Sequence, residues 1–237
     1  MKILCVTTWN SILYKAYAHR FKKTYNWPFD LKVYNEDEDF FTLVPDCKKF
    51  VQRNSIKMNN LNKEERINEF WKDGVRFCYK VYAYTHAILN ANEYDGLIGI
   101  DADSVFYNPI DENWVKRNIH KDECMMTYLG RGEHYSECGF LYWNLKHPKT
   151  KDYALEMKKM YDEDLIYNEK EQHDSYIWDL VRKRFEKQYK IKNNDIGDGA
   201  AGHVQARSIL GKKYDHTKGQ KRKEQGFSNE FRRRSHE

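Results

Sequence analysis

An α/β fold built on an open, mostly parallel sheet flanked by helices is predicted by three observations. Residues 2–8 form an apolar run bounded by polar residues, residues 11–25 then carry helical spacing, and residues 31–34 read as a short second strand. A stripe of apolar or small residues at three- to four-residue intervals runs from Ile67 through Leu89, which fits one long helix. The run Leu97-Ile-Gly-Ile then ends in two carboxylates one residue apart, Asp101 and Asp103, as a buried strand reaching a site would. In such sheets ligands collect beyond the carboxyl ends of the strands, which makes Thr7, Thr8 and Trp9 candidate ligand contacts.

The remaining elements follow in order. After residue 34 the chain is polar and is expected to be irregular. Asn62 and Glu65 have capping-box spacing, with Leu61 placed to staple the turn, and the helix that follows is expected to continue through about Ala91. Arg76 and Lys80, four residues apart, share a face away from its apolar stripe. Residues 94–100 form the next strand, and Asn108-Pro109 marks a turn. Residues 125–129 and 139–143 read as strands separated by a loop holding Arg131, Gly132, Glu133 and His134. Residues 150–161 and 174–185 are helical, with a short polar run at 170–173 between them. Without repeats or a Gly/Ser or Pro linker, a single domain is expected.

Composition narrows the classes. With 237 residues and 40 % hydrophobic content the chain can bury a substantial core, to which 18 Tyr and 6 Trp contribute. No apolar run is long enough to span a bilayer and the first residues are strand-like, so a cytoplasmic protein is expected. Five scattered cysteines without C-x-x-C spacing fit reduced thiols better than zinc or disulfides. Residues 211–237 carry nine Lys or Arg against four acids, which accounts for the whole net charge of +5. Positive charge gathered in one segment suits a phosphate-bearing partner.

The carboxylate pair points to a cation. Along an extended chain residues i and i+2 face the same way, so Asp101 and Asp103 would converge and repel unless a divalent ion joined them. Hard oxygen ligands suit Mg²⁺ or Mn²⁺, which retain positions for phosphate oxygens.

Taken together, Leu97-Ile-Gly-Ile-Asp-Ala-Asp, the Arg76/Lys80 helix before it and three downstream segments resemble the metal-dependent glycosyltransferases of the GT-A fold. The resemblance covers the chain from Lys2 to about Ser228. It implies a Rossmann-like nucleotide-sugar-binding half at 1–106, an acceptor and catalytic half at 107–228, and a basic tail at 229–237. It implies Mn²⁺ or Mg²⁺ held by Asp101, Asp103 and His216, a nucleoside-diphosphate sugar donor and a hydroxyl acceptor. By position in the motifs, Thr7, Thr8, Trp9, Arg76, Lys80, Asp101, Lys218 and Gly219 would bind the donor and its diphosphate, with Trp9 stacking on the base. Glu137, Gly139, Asn144 and His173 would line the sugar and acceptor pocket. Asp174, in Gln-His-Asp-Ser, would be the catalytic carboxylate, although the same residue could simply N-cap the helix after it. His216 and Lys218 match a C-terminal His-x-Lys-Gly segment. The full C-terminal motif of the glycogenin-like group is missing, so that group's stereochemical course does not carry over.

Three other readings fit parts of the chain. A hydroxylated DNA base could serve as the acceptor for the same chemistry. A haloacid-dehalogenase-like phosphatase also uses Asp-x-Asp, but on its opening strand. A non-catalytic nucleic-acid-binding protein would use the basic tail, without zinc-finger spacing or an aromatic RNA-binding motif to support it.

Overall fold

The computed structural model describes residues 1–37, 39–59, 68–228 and 230, apart from the side chains of 57–59. A six-stranded sheet forms the centre, from β1 (Ile3–Trp9), β2 (Asp30–Asn35), β3 (Gly96–Ile100), β5 (Met126–Arg131), β6 (His134–Asn144) and β7 (Asn194–Asp195), in the order β2-β1-β3-β6-β5-β7. Three of the five pairings, β1 with β2, β1 with β3 and β5 with β7, are parallel, while β6 runs antiparallel to both its neighbours. A separate ribbon pairs β4 (Ser104–Phe106) with β8 (Tyr214–His216).

Strand alternation divides the core in two. Leu4 and Val6 of β1 face one layer, where the helices Pro45–Asn59, Gly74–Asn90, Thr150–Asp162 and Asp174–Tyr189 bury Phe50, Val81, Met157 and Trp178. Ile3, Cys5 and Trp9 face the other, with Phe21, Phe106, Val115 and Tyr214. Among the described residues no helix is long and apolar enough to cross a membrane.

Several expectations need correction. The stretch after residue 34 is largely helical, at Phe40–Leu43 and Pro45–Asn59. Cys47, Phe50 and Asn54 are its fully buried face, and the Asn54 amide nitrogen donates to Phe50 O and Asp164, so a polar residue interrupts the stripe that would have betrayed the helix. The long helix does not run unbroken from Ile67. A 3₁₀ turn at Phe70–Lys72 precedes Asp73, whose side chain accepts from Arg76 N at 2.9 Å and caps Gly74–Asn90. Asn62, Glu65, Leu61 and Ile67 lie outside the described residues, as do Arg232 to Arg234. The expected loop around Gly132 is a tight hairpin, with Arg131 and His134 already paired.

The cap supplies a prediction. Asp73→Ala is expected to lower stability by about 1 kcal/mol by stranding a first-turn amide, measured as a lower urea midpoint with an unchanged slope.

Candidate active site

The site forms where β3 stops. Asp101 and Asp103 sit in a turn closed by Ser104 N donating to Asp101 O at 3.2 Å, so the two carboxylates converge through a bend rather than through strand alternation. β4 begins at Ser104, which pairs with His216 of β8, and Thr217 donates to Asp103 O through both N and Oγ1. That ribbon delivers the C-terminal histidine to the carboxylates. His216 Nε2 lies 3.1 Å from Asp103 Oδ1 and 3.5 Å from Asp101 Oδ2.

The other oxygen of each carboxylate meets a lysine. Lys80 Nζ is 2.5 Å from Asp101 Oδ1, and Lys223 Nζ is 3.0 Å from Asp103 Oδ2. One ligating atom each from Asp101, Asp103 and His216 lies within 4.8 Å of the others. Two carboxylate oxygens with one imidazole suit Mn²⁺, so the residues present fit the expected metal.

The ionisation states follow from this packing. Burial raises the Asp101 carboxyl, with Lys80 and His216 offsetting only part of the effect. Burial would also raise Asp103, but the cations of His216 and Lys223 hold it well below the usual carboxylate range. Burial disfavours the His216 imidazolium, yet Asp103 and Glu137 on its two sides outweigh this and push its pKa up to about 10.

β6 runs between two arms of the site. Its register against β5 shifts between Thr127 and Leu129, an irregularity of the kind that re-aims side chains next to active sites. Glu137, 1 % exposed, lies 3.0 Å from His216 Nδ1. Cys138, next in sequence, contacts Lys80 Nζ at 3.1 Å, Asp174 Oδ2 at 3.1 Å and Ser175 Oγ at 2.9 Å. Gly139 lies beneath the His216 ring, where a Cβ would come within 2.5 Å of Cε1. The close approach that Gly139 permits is therefore by the histidine.

Asp174 is placed to hold Lys80. Its Oδ2 is 2.9 Å from Nζ, and its Oδ1 accepts from Ser175 N. Burial would raise it, but Lys80 and then His173 hold it far below the usual carboxylate range. In this arrangement the Asp174 carboxylate is the counter-ion of Lys80. The N-cap reading fails, because His173 is the cap, accepting from Tyr176 N at 3.4 Å. His173 is 3 % exposed and packs on Tyr135, Phe77 and Phe70, so it supports the start of the helix.

Other expected residues are placed as follows. Arg76 is exposed and stacks on Phe77. Lys218 is half-exposed, 3.6 Å from Glu137, and Gly219 enters the Gln220–Gln225 helix at a left-handed φ of 88°. Thr7 is fully buried, and Thr8 Oγ1 donates to Glu36. Trp9 is 7 % exposed and packed on Tyr14 and Phe21, so most of its ring belongs to the core. Asn144 pairs with Gly96, at the end of β3 away from Asp101, and bonds Asp122 O and Cys124 O. It ends the strand as expected, far from the pocket proposed for it.

Lys223, Cys138 and Tyr17 were not singled out from sequence. Tyr17 belongs to a π-helical turn, Tyr14–Ala18, carries Lys223 over its ring at 4.3 Å and feels the charges of Asp103, Asp101, Glu36 and Arg76. Lys223 had a signal in the basic segment, but its position there did not say which lysine turns inward.

No protein-family profile and no curated protein matches the chain. Among solved structures, the apo-form glycosyltransferase GlyE of Streptococcus pneumoniae TIGR4 aligns at 14 % identity and TM-score 0.46, over 84 % of this chain and 46 % of that one. Mouse xyloside xylosyltransferase 1 aligns at 7 % identity and TM-score 0.43, over 82 % and 85 %. A glycosyltransferase involved in glycosylation of the major capsid of PBCV-1 aligns at 10 % identity and TM-score 0.50, over 95 % of this chain and all of that one. With that overlap, a mixed sheet in this order and the Asp-x-Asp turn after β3, the chain has the GT-A-like fold found among glycosyltransferases.

Proposed function

We propose that this protein transfers a sugar from a nucleoside-diphosphate sugar to a hydroxyl acceptor, with Mn²⁺ or Mg²⁺ held by Asp101, Asp103 and His216. One observation carries the reading. Asp101 Oδ2, Asp103 Oδ1 and His216 Nε2 face one another, while lysines occupy the opposite oxygens. When bound, the ion supplies positive charge against the diphosphate as the glycosidic bond breaks.

The chain's own residues do the rest. Lys223 adds positive charge at Asp103 and Lys218 at Glu137, both on the segment after β8, and Arg76 extends it on the exposed face of the Gly74–Asn90 helix. Lys80 keeps Asp101 in place by tying it to Asp174 and to Cys138 O. Asp174 thus acts as a positioning residue. The aspartates follow the third strand of the sheet, unlike the opening-strand pair of the phosphatase reading.

Donor hydrolysis tests this without knowledge of the acceptor. Asp103→Asn is expected to lower Mn²⁺-dependent hydrolysis of nucleoside-diphosphate sugars by about 100-fold or more, as losing one preorganised electrostatic contact does, and to weaken Mn²⁺ binding in parallel. Unchanged hydrolysis in Asp103→Asn would refute the assignment. Transfer assays with glycan, protein and hydroxylated DNA acceptors then separate the acceptor classes.

A further inference from the structure

A second group of ligating side chains lies on the other side of His216. Glu137, His203 and His216 are 1, 5 and 2 % exposed, and one ligating atom from each lies within 4.8 Å of the others. Burial penalises such groups unless they are hydrogen-bonded. Yet both Glu137 carboxylate oxygens, both His203 ring nitrogens and His216 Nδ1 make no hydrogen bond among the described residues. Glu137 Oε1 is only 3.0 Å from His216 Nδ1, so alignment and not distance denies that bond. His203 Nδ1 lies 3.4 Å from Glu230 Oε2, and Lys218 Nζ 3.6 Å from Glu137 Oε1, and neither contact meets hydrogen-bond geometry. Five buried polar atoms therefore converge on one place at ion-pair distances, as Glu137 and His216 do, but without an aligned hydrogen bond.

Two imidazoles and a carboxylate are a donor set for zinc, whereas Mg²⁺ prefers oxygen alone. We propose that Glu137, His203 and His216 form a Zn²⁺-class metal site, separate from the carboxylate pair and sharing only His216 with it. A neutral imidazole has one lone pair. When His216 offers it through Nδ1 to this cluster, Nε2 keeps the proton and cannot ligate at Asp101 and Asp103. Binding at the two sites is therefore antagonistic, and by reciprocity each metal weakens the other by the same factor. This coupling rests on the proposed Mn²⁺ site, while the zinc cluster does not. Lys218, with its side chain 45 % exposed against Glu137, is the group that an entering cation displaces.

The test titrates Zn²⁺ alone into the full chain against a chromophoric chelator, and follows Mn²⁺ binding by electron paramagnetic resonance. The wild type is expected to bind Zn²⁺, and Zn²⁺ to raise its Mn²⁺ Kd. His203→Gln keeps a buried polar side chain without the imidazole, and is expected to lose more than about 10-fold in Zn²⁺ affinity, the least that loss of even an outer-shell partner causes. In that variant Zn²⁺ should no longer affect Mn²⁺ through this cluster. Should His203→Gln fail to fold, the isosteric Glu137→Gln supports the same comparison. No Zn²⁺ binding by the wild type overturns the proposal. So does equal Zn²⁺ affinity in His203→Gln accompanied by its loss in Asp103→Asn, which places zinc on the carboxylate pair. Zinc binding that depends on His203 in a chain without nucleotide-sugar hydrolysis leaves the cluster standing and rejects the proposed activity.

Discussion

Lys80→Met is expected to reduce folding stability by about 3 kcal/mol near neutral pH, the lower end of the cost of removing one partner from a buried ion pair. The ammonium lies between Asp101 and Asp174, and its side chain is 12 % exposed. Burial works against its charge, but the two carboxylates outweigh burial and raise its pKa well above that of a free lysine. Methionine keeps the apolar stem and removes the charge. Asp174, its side chain 7 % exposed, would then be a buried carboxylate left with Ser175 N, the Cys138 thiol and His173 but no lysine, while Asp101, at 26 %, retains some access to water and moderates the loss.

The pH dependence gives the prediction a sign. In the wild type, Lys80 depresses the Asp174 pKa, so this group's contribution to stability is present above the unfolded-state value of about 4 and is lost as pH falls through the lower folded value. Without Lys80 the penalty at Asp174 falls once the carboxyl is protonated. The gap between wild type and Lys80→Met should therefore be largest near pH 7 and shrink toward pH 3. Urea unfolding across that range measures it, and a gap independent of pH would show that Lys80 acts through packing alone.

Gly139→Ala is expected to weaken Mn²⁺ binding by about 10- to 100-fold, a loss typical of disturbed ligand support, and to lower stability by about 1–3 kcal/mol through overpacking. The added methyl would meet His216 at 2.5 Å from Cε1 and 2.7 Å from Nδ1. Neither side yields easily. Gly139 O accepts from Asp101 N at 3.1 Å, and the ring is held between Glu137 and Asp103. Gly139 is not among the positive-φ glycines, so alanine introduces no backbone strain and the variant isolates the contact. Unaltered Mn²⁺ affinity would mean that His216 is no ligand.

Much of the fold was legible because apolar spacing is a one-dimensional signal. β1, β2, β3, β5 and β6 and the helices beginning at Gly74, Thr150 and Asp174 each carry enough regularly spaced apolar residues to be read. β4, β7 and β8 are two or three residues long, too short for any period. The Pro45–Asn59 helix was hidden by its Lys, Asn and Gln content and by a buried Asn54 whose amide nitrogen reaches Asp164, 110 residues away. The break before Gly74 was masked by apolar residues that keep helical spacing across it.

By itself the sequence determined the chemical parts: a carboxylate pair ending an apolar strand, a basic pair on the preceding helix, and a histidine in the segment that holds the excess positive charge. It also set the α/β layering, because strand and helix periods follow from local side-chain placement. Only the tertiary structure decided which parts meet. Pairing of β4 with β8 brings His216 to Asp103 rather than leaving it on a solvated segment. Packing of the Gly74–Asn90 helix sends Lys80 to Asp101 and Asp174, which gives the candidate catalytic carboxylate a buried cationic partner. Trp9 packs into the core and Asn144 falls opposite Gly96, because burial and strand register, not residue type, determine where a side chain points. Proton affinity and ligation depend on which charges lie within a few ångströms, and those neighbours come from chain segments far apart in sequence.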